Sequence, residues 1–319
     1  MKTKNNSLCF LSTLLIFLVL FNGCKDDDAP LLTTISVTNY AITTAVSGGT
    51  ITSDGGASVT ARGVCWSLKE MPTTSDFKTS DGTGTGSFTS NMTGLMANTK
   101  YFVRAYAINT AGTAYGSEVN FTTYGLQDID GNGYHSVKIG KQEWMQENLK
   151  VTKYRDDSAI PNIQKADEWI NLSIGAYCDY DNAPSNVAVY GRLYNYYAVA
   201  DQRKVCPSGW HVPTIDEGNI LINALGGEDI AGGKMKSKGI LQNGDGLWNA
   251  PNTNGTNESE FTGLPAGTRF DAGDFRDLHN FGHWRTIDGW SFRLRNNHGM
   301  VEKFYFYPTN GTSIRCVKD

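Results

Sequence analysis

Turn-forming residues recur so closely between residues 31 and 124 that only short strands fit between them. Glycine clusters there with Ser, Asp and Asn, which are residues that tight turns favour. The clusters are Ser47-Gly48-Gly49, Asp54-Gly55-Gly56, Asp81-Gly82 and Asn109-Thr110-Ala111-Gly112. Between two of them, Tyr101–Ile108 alternates in the period-2 pattern of a half-buried strand. This spacing predicts an all-β sandwich over residues 31–124.

Part of this segment resembles a fibronectin type III domain. The resemblance lies in Leu95–Tyr101, followed by Arg104, Ala107 and Asn109, and in the run Arg62–Ser67. It implies that the hydroxyl of Tyr101 bonds back to the chain. Because the segment carries no constellation of catalytic residue types, we expect it to be a spacer. Cys65 lies in an apolar strand with no second cysteine nearby, so we expect a buried, inert thiol rather than a nucleophile.

The N-terminus has the features of a bacterial secretory signal. Lys2 and Lys4 precede an apolar run over residues 14–21, which is too short for a comfortable membrane span. Leu20-Phe21-Asn22-Gly23-Cys24 resembles a lipobox, which implies cleavage after residue 23 and lipidation of Cys24. The alternative is an ordinary cleaved signal in which this cysteine occurs by chance.

Residues 24–30 then form a predicted lipidated tether that contains Asp26, Asp27 and Asp28. This acidic run resembles the tag found after the lipidated cysteine of surface-exported Bacteroidetes lipoproteins, and a simple solvated charge run is the alternative. We therefore expect an outer-membrane lipoprotein on the cell surface. The net charge of −4 argues against nucleic acid as a partner. A length of 319 residues favours two domains, and the second would span residues 126–319.

The second segment opens with a run that matches half of a calcium loop. Asp128-Ile129-Asp130-Gly131-Asn132-Gly133 fits D-x-D-x-N-G, but the twelfth position, where calcium needs a bidentate Glu, is Ile139. The flanking residues are typical of strands, so a hairpin turn is the preferred interpretation.

Helix signals are sparse in this segment. Thr214 and Glu217 form a T-x-x-E capping box after Pro213, and Gly226-Gly227 would end that helix. Four apolar residues predict its buried face: Ile220, Leu221, Ala224 and Leu225. Leu193–Ala200 indicates another short helix. Beyond Gly232 we expect turns and short strands.

The second segment resembles the Fibrobacter succinogenes major paralogous (FISUMP) domain. The motifs occur in order: Asp128–Asn132, Val137–Gly140, Trp144-Met145, Glu147–Leu149, Gly175–Cys178, Tyr190–Asn195, Cys206–Pro213, Leu264–Gly267 and Arg315–Lys318. The resemblance implies an α+β, C-type-lectin-like fold with long irregular loops. Three cysteines allow three possible pairs, so their number alone leaves the pairing among Cys178, Cys206 and Cys316 open. The resemblance implies a Cys206–Cys316 disulfide, with Cys178 free or buried.

Related lectin-like folds include oxygenases such as the formylglycine-generating enzymes, so an oxidoreductase is one alternative. A copper-binding cysteine pair is missing, and His279 and His283 lie in a glycine-containing segment rather than on one face of a helix. We find no catalytic motif and expect neither catalysis nor a cofactor nor a bound metal. The proline triplets that calcium-dependent lectins use are absent too, so any sugar binding should not depend on calcium.

Three tryptophans beside Gly, Asn and Asp are the candidate ligand-binding residues. Trp248 with the adjacent Asn249, Trp284 and Trp290 could stack on sugar rings, since flat rings offer contact area and amides bond hydroxyls. The alternative is that these tryptophans fill the core. We therefore predict a non-catalytic binding or adhesion module for glycans or other extracellular polymers. A structural or assembly role in the cell envelope is the second possibility.

Overall fold

The computed structural model describes residues 27–319. The predicted signal peptide, the predicted lipidation of Cys24 and the first residues of the predicted tether lie outside the described residues. The rest of that tether is not free chain. The N–H of Asp28 donates to the Gly55 carbonyl at 2.8 Å, and the Asp28 carbonyl accepts a hydrogen bond from the Asn109 amide at 2.6 Å. Residues 27–30 are therefore docked on the first region.

The first region is a sandwich of two antiparallel sheets. Its strands are β1 (Leu31–Thr38), β2 (Thr44–Ser53), β3 (Ala61–Ser67), β4 (Phe77–Lys78), β5 (Gly86–Thr93), β6 (Lys100–Asn109), β7 (Gly112–Tyr115) and β8 (Val119–Thr122). One sheet has the order β1-β2-β5. The other has the order β4-β3-β6-β7, with β8 also paired to β6. The all-β prediction for this region is confirmed.

The sandwich core is apolar and continuous. Its buried residues range from Ala45 to Phe121, and they include Trp66 and Phe88. Tyr101 is 4% exposed, and its hydroxyl accepts a hydrogen bond from the Met96 N–H at 3.0 Å, as the resemblance implied. Burial raises the pKa of the Cys65 thiol to about 11, which keeps it protonated and unreactive.

The second region has many short strands. They are β9 (Leu126–Gln127), β10 (Gly133–Tyr134), β11 (Ser136–Ile139), β12 (Gln142–Met145), β13 (Tyr177–Cys178), β14 (Leu193–Tyr194), β15 (Trp210–His211), β16 (Ala266–Arg269), β17 (Phe275–Leu278), β18 (Phe281–Arg285), β19 (Trp290–Arg295), β20 (Glu302–Tyr305) and β21 (Val317–Lys318). Two sheets dominate, with orders β11-β12-β21-β15 and β18-β19-β20. The apolar clusters of this region lie between Leu126 and Val317, apart from the sandwich core.

Five α-helices, most of them short, connect these strands. They are α1 (Ala166–Trp169), α2 (Val187–Tyr190), α3 (Tyr196–Val199), α4 (Ile215–Ala224) and α5 (Glu228–Met235). The capping box of Thr214 and Glu217 is present at the start of α4, and α3 falls within the predicted segment. No helix within residues 27–319 combines the length and the apolar character needed to cross a bilayer.

Two details of the predicted helices are wrong. Of the four residues predicted for the buried face of α4, Leu221 and Leu225 are buried, but Ile220 is 51% exposed and Ala224 is exposed. Gly218 and Ile222 are buried in their place. Helix α5 was not expected because Gly232 and Gly233 suggest a break. A Cβ at Gly232 would lie 2.4 Å from the Met300 carbonyl oxygen, so glycine is required there for close packing rather than for a turn.

The C-terminal strand closes the second region. β21 pairs with both β12 and β15, and a Cys206–Cys316 disulfide joins the segments that lead into β15 and β21. The predicted pairing is confirmed. Cys178 is free and buried, and burial raises its pKa to about 12.

Candidate functional site

Exposed aromatic side chains lie on β19, on β20 and two residues after β20. The exposed fractions are 42% for Trp290, 59% for Tyr305 and 67% for Tyr307. We call these three residues the aromatic patch. Phe304 is also partly exposed, but its ring packs against Phe306 at 4.7 Å between centroids. Clustered exposed rings on a rigid element are typical of a binding surface.

Strand pairing places two rings of the patch next to each other. Trp290 and Tyr305 stand directly opposite each other in the β19–β20 register, with centroids 5.9 Å apart and ring planes at 79°. Gly289, with φ +89°, precedes Trp290, and a Cβ there would come within 3.3 Å of the Tyr305 ring. Glycine therefore lets the tyrosine ring lie against the turn.

A buried guanidinium supports the patch from behind. Arg285 is 1% exposed, and it donates to the carbonyls of Gly289, Phe306, Tyr307 and Asn310 at 3.1–3.2 Å. Burial lowers its pKa to about 10, so it stays charged at neutral pH. One side chain thus ties together the two segments that carry the patch, which makes Arg285 a positioning residue.

Charged side chains next to the patch are already engaged. The Asp288 carboxylate accepts hydrogen bonds from the Ile215 N–H at 3.0 Å and from the Thr286 hydroxyl. Lys303 forms an ion pair with Glu228 at 2.5 Å. The patch therefore presents rings and phenolic hydroxyls rather than uncompensated charge.

The prediction that Trp248 and Trp284 stack on a ligand is wrong, because both are fully buried. The indole N–H of Trp248 donates to the Gly263 carbonyl at 3.1 Å, and that of Trp284 donates to Asn148 at 2.8 Å. Trp284 lies in strand β18, where its ring packs 5.3 Å from that of Phe261. For these two tryptophans, the alternative of a core position is correct.

Asn249 lies apart from the patch and is occupied by neighbouring amides. Its side chain donates to Asn280 at 3.0 Å and accepts from Gln242 at 2.9 Å. It therefore shapes its own loop. Among the predicted ligand-binding residues, only Trp290 has an exposed ring, and its binding role stays a prediction.

Sequence reasoning missed Tyr305 and Tyr307, although a signal was present. Phe304-Tyr305-Phe306-Tyr307 is a run of four consecutive aromatic residues. Neighbouring side chains of an extended segment point to opposite faces, so such a run cannot be buried in a single core. In the structure, Phe306 is buried and both tyrosines are exposed.

The segment that matches half of a calcium loop, Asp128–Gly133, is the hairpin between β9 and β10. The preferred interpretation of a hairpin turn is therefore confirmed. Asp128 accepts hydrogen bonds from the N–H groups of Asp130 and Asn132 and from the Tyr134 hydroxyl. Asp130 accepts from the backbone and side chain of Thr152. Both carboxylates therefore serve as acceptors that shape the turn.

His279 and His283, the two histidines considered as metal ligands, lie in different surroundings. His279 lies 2.9 Å from the Leu247 carbonyl oxygen, whereas His283 packs against Phe281 and Phe306. Burial lowers the pKa of His283 to about 3. In the part of the chain that the structure describes, no group of three or more His, Cys, Asp or Glu could hold a metal ion.

A pocket of about 280 Å³ lies elsewhere in the second region, lined by Val199, Val212 and Ile287 among others. His211 on its wall contacts two carboxylates, Asp319 at 2.7 Å and Glu217 at 2.8 Å. Burial alone would lower the pKa of His211, but these two hydrogen bonds outweigh it and raise that pKa. Both ring nitrogens are engaged, so only the ring face is available to the pocket.

One comparison with known proteins places a family in the second region. Residues 137–318 match the family model described as Fibrobacter succinogenes major domain. Three similar solved structures each cover about a third of this chain. The fibronectin type III domain of human fibronectin type III domain containing protein 3 is 19% identical over 32% of this chain and 92% of that one, with a TM-score of 0.21.

Titin domains A168–A170 are 20% identical over 30% of this chain and 32% of that one, with a TM-score of 0.24. The sensor domain of the anti-sigma factor RsgI4 of Pseudobacteroides cellulosolvens is 14% identical over 30% of this chain and 96% of that one, also at 0.24. No curated protein matches the chain.

Proposed function

Because this chain belongs to the Fibrobacter succinogenes major domain family and carries an exposed aromatic patch, we propose that it is a non-catalytic glycan-binding module of the cell surface. The observation that carries the proposal is the fixed, exposed pair of Trp290 and Tyr305. We also propose a C-type-lectin-like fold for the second region, which its short strands and long loops support.

The chemistry of the patch suits carbohydrates. The axial C–H groups of a sugar ring are apolar and pack on a flat aromatic face, while phenolic hydroxyls such as those of Tyr305 and Tyr307 can bond to sugar hydroxyls. The exposed rings of Trp290 on β19, Tyr305 on β20 and Tyr307 just after β20 supply both kinds of contact. Neither contact needs a metal, so we expect binding that is insensitive to chelators.

The state of the free thiols supports a non-catalytic role. Cys65 and Cys178 lie in different regions, and burial raises the pKa of each above its usual value. A copper-dependent oxygenase needs two neighbouring thiolates, and these two cysteines do not meet that need.

The binding proposal is tested by screening neutral polysaccharides with the purified full-length protein, with and without a chelator. The double variant Trp290→Ala/Tyr305→Ala should lose binding. Phe77→Ala, which removes an exposed ring of the first region, should keep it. If the double variant binds as well as the parent protein, the patch is not the site. If no polysaccharide binds, the alternative of an assembly role gains support.

We further propose that lipid on Cys24 anchors the protein to the outer membrane. The side chain of Asp27 accepts a hydrogen bond from Thr110 at 2.9 Å, so the docked chain begins only three residues after Cys24. Three extended residues span at most about 11 Å, so the anchor would hold the sandwich close to the bilayer.

Cys24→Ser should move the protein from the membrane to the soluble fraction in cell fractionation. Cys9→Ser is the matched control, because Cys9 lies within the predicted signal peptide and should leave the distribution unchanged. A Cys24→Ser protein that stays in the membrane fraction would contradict lipid anchoring. Protease accessibility on intact cells then reports which side of the membrane the protein faces.

A further inference from the structure

The two central rings of the aromatic patch do not lie in one plane. The Trp290 and Tyr305 planes meet at 79°, and their centroids are 5.9 Å apart. Their backbones are paired across β19 and β20, and Arg285 holds the carbonyls of Gly289 and Phe306 beside them. The hairpin backbone therefore holds these two rings side by side.

Ring orientation limits what the patch can hold. The flat face of a crystalline polysaccharide presents many sugar faces in a single plane, so it can contact several rings only if those rings are coplanar. With planes at 79°, a flat surface that stacks on the Trp290 ring meets at most the edge of the Tyr305 ring. A single chain in solution can place a sugar face on one ring and its edge against the other.

Charge limits the ligand as well. An acidic polymer is normally held by exposed cations. Arg285 is buried behind the patch, and Lys303 is paired with Glu228. Asp288 is in turn occupied by hydrogen-bond donors and is not free to hold a basic ligand. The surroundings of the rings therefore favour an uncharged ligand.

We propose that the aromatic patch recognises single, soluble, neutral glycan chains and does not recognise the flat faces of crystalline polysaccharides. This inference rests on the proposed glycan-binding function and specifies its ligand class.

The test compares soluble and crystalline forms of neutral polymers. The soluble probes are cellohexaose, laminarin, arabinoxylan and mannan, measured by titration calorimetry or affinity electrophoresis. The insoluble probes are microcrystalline cellulose and crystalline chitin, measured by depletion from solution. The proteins are the full-length chain, Trp290→Ala, Tyr305→Ala and the control Phe77→Ala, each checked for folding by near-UV circular dichroism.

We expect at least one soluble glycan to bind, with each patch variant weakening it about tenfold and Phe77→Ala changing it little. Depletion on cellulose and chitin should not depend on Trp290 or Tyr305. Patch-dependent binding to a crystalline surface would overturn this inference but leave the proposed function standing. Tighter patch-dependent binding to polygalacturonate than to any neutral glycan would overturn it too. Absence of patch-dependent binding to every polysaccharide would overturn both.

Discussion

The two regions of this chain keep their backbone groups paired in different ways. In residues 27–124, strands of up to ten residues pair over most of their length around an apolar core. In residues 126–319, every strand has two to six residues, and long loops run between them. Every fully buried lysine or arginine among the described residues lies in this second region: Lys236, Arg269, Arg285 and Arg315.

These buried cations bond mainly to loop carbonyls rather than to carboxylates. Lys236 donates to the carbonyls of Thr253, Arg295 and His298 at 2.7–2.9 Å. A buried carbonyl without a donor is unfavourable, and a multi-donor side chain can satisfy several at once. Where the strands are too short to pair every backbone carbonyl, a buried Lys or Arg side chain thus supplies the missing hydrogen bonds.

Residues of the family motifs take part in one of these buried-cation networks. Arg315 donates to the Asn148 side-chain oxygen at 2.8 Å, and that oxygen also accepts from the Trp284 indole. The Arg315 guanidinium lies 4.2 Å from the centre of the Phe261 ring, and burial lowers its pKa to about 9. The motifs by which the second region is recognised therefore include residues that hold its core, while the aromatic patch lies outside them.

Removing the disulfide should produce the largest difference in stability between the two regions. The Cys206→Ala/Cys316→Ala double variant opens a loop with a sequence separation of 110 residues, and a chain-entropy model gives a loss of about 4 to 5 kcal/mol. Hydrogen exchange followed by region should show lost protection in residues 126–319 and unchanged protection in the sandwich. Equal loss in both regions would show that they unfold as one unit.

Removing one buried cation should have the next largest effect. Arg269 is 1% exposed and donates to the carbonyls of Ile163, Gln164 and Gly273. Arg269→Met leaves these acceptors without their donors, so we expect a loss of about 3 to 5 kcal/mol in urea unfolding of the second region.

The matched control lies in the sandwich. Arg62 also donates to three carbonyls, those of Asp81, Gly84 and Thr85, but it is only partly buried and water can replace it. Arg62→Met should therefore cost about 1 kcal/mol or less. Equal effects of the two substitutions would break the proposed contrast between the regions.

A substitution at Tyr101 should cost less stability, and the loss should be confined to the sandwich. Tyr101→Phe removes the acceptor of the Met96 N–H while the buried ring stays in place. The expected loss is about 1 kcal/mol, measured by urea unfolding. Hydrogen exchange should report it in residues 31–124 only, and a change in the second region would argue against this assignment.

The smallest effect should depend on pH and appear in the second region, since all five histidines follow residue 124. The raised pKa of His211 means that its ion pairs with Glu217 and Asp319 stabilise the fold fully below its unfolded pKa. This contribution is lost as the pH rises through the folded pKa. His211→Gln should thus be more destabilising at pH 5.5 than at pH 9, in urea unfolding at each pH. A penalty independent of pH would contradict it.

Local signals in the sequence were enough to predict several elements. Closely spaced turns and the alternation at Tyr101–Ile108 predicted the sandwich, and the Thr214–Glu217 capping box marked the start of α4. These succeeded because each depends on residues that are near one another in the chain. The Cys206–Cys316 pairing came from family resemblance, since counting cysteines left it open.

Burial of the tryptophans was decided by tertiary structure. Trp248, Trp284 and Trp290 have similar polar, glycine-containing neighbours in sequence, yet two are fully buried and one is exposed. The difference arises from distant segments: Phe261 and Arg315 cover Trp284, whereas strand pairing places Tyr305 beside Trp290. Sequence determined which segments form strands and turns because turn geometry and side-chain alternation are local. Only the folded chain determined which rings face water, because covering a ring requires contacts between residues far apart in sequence.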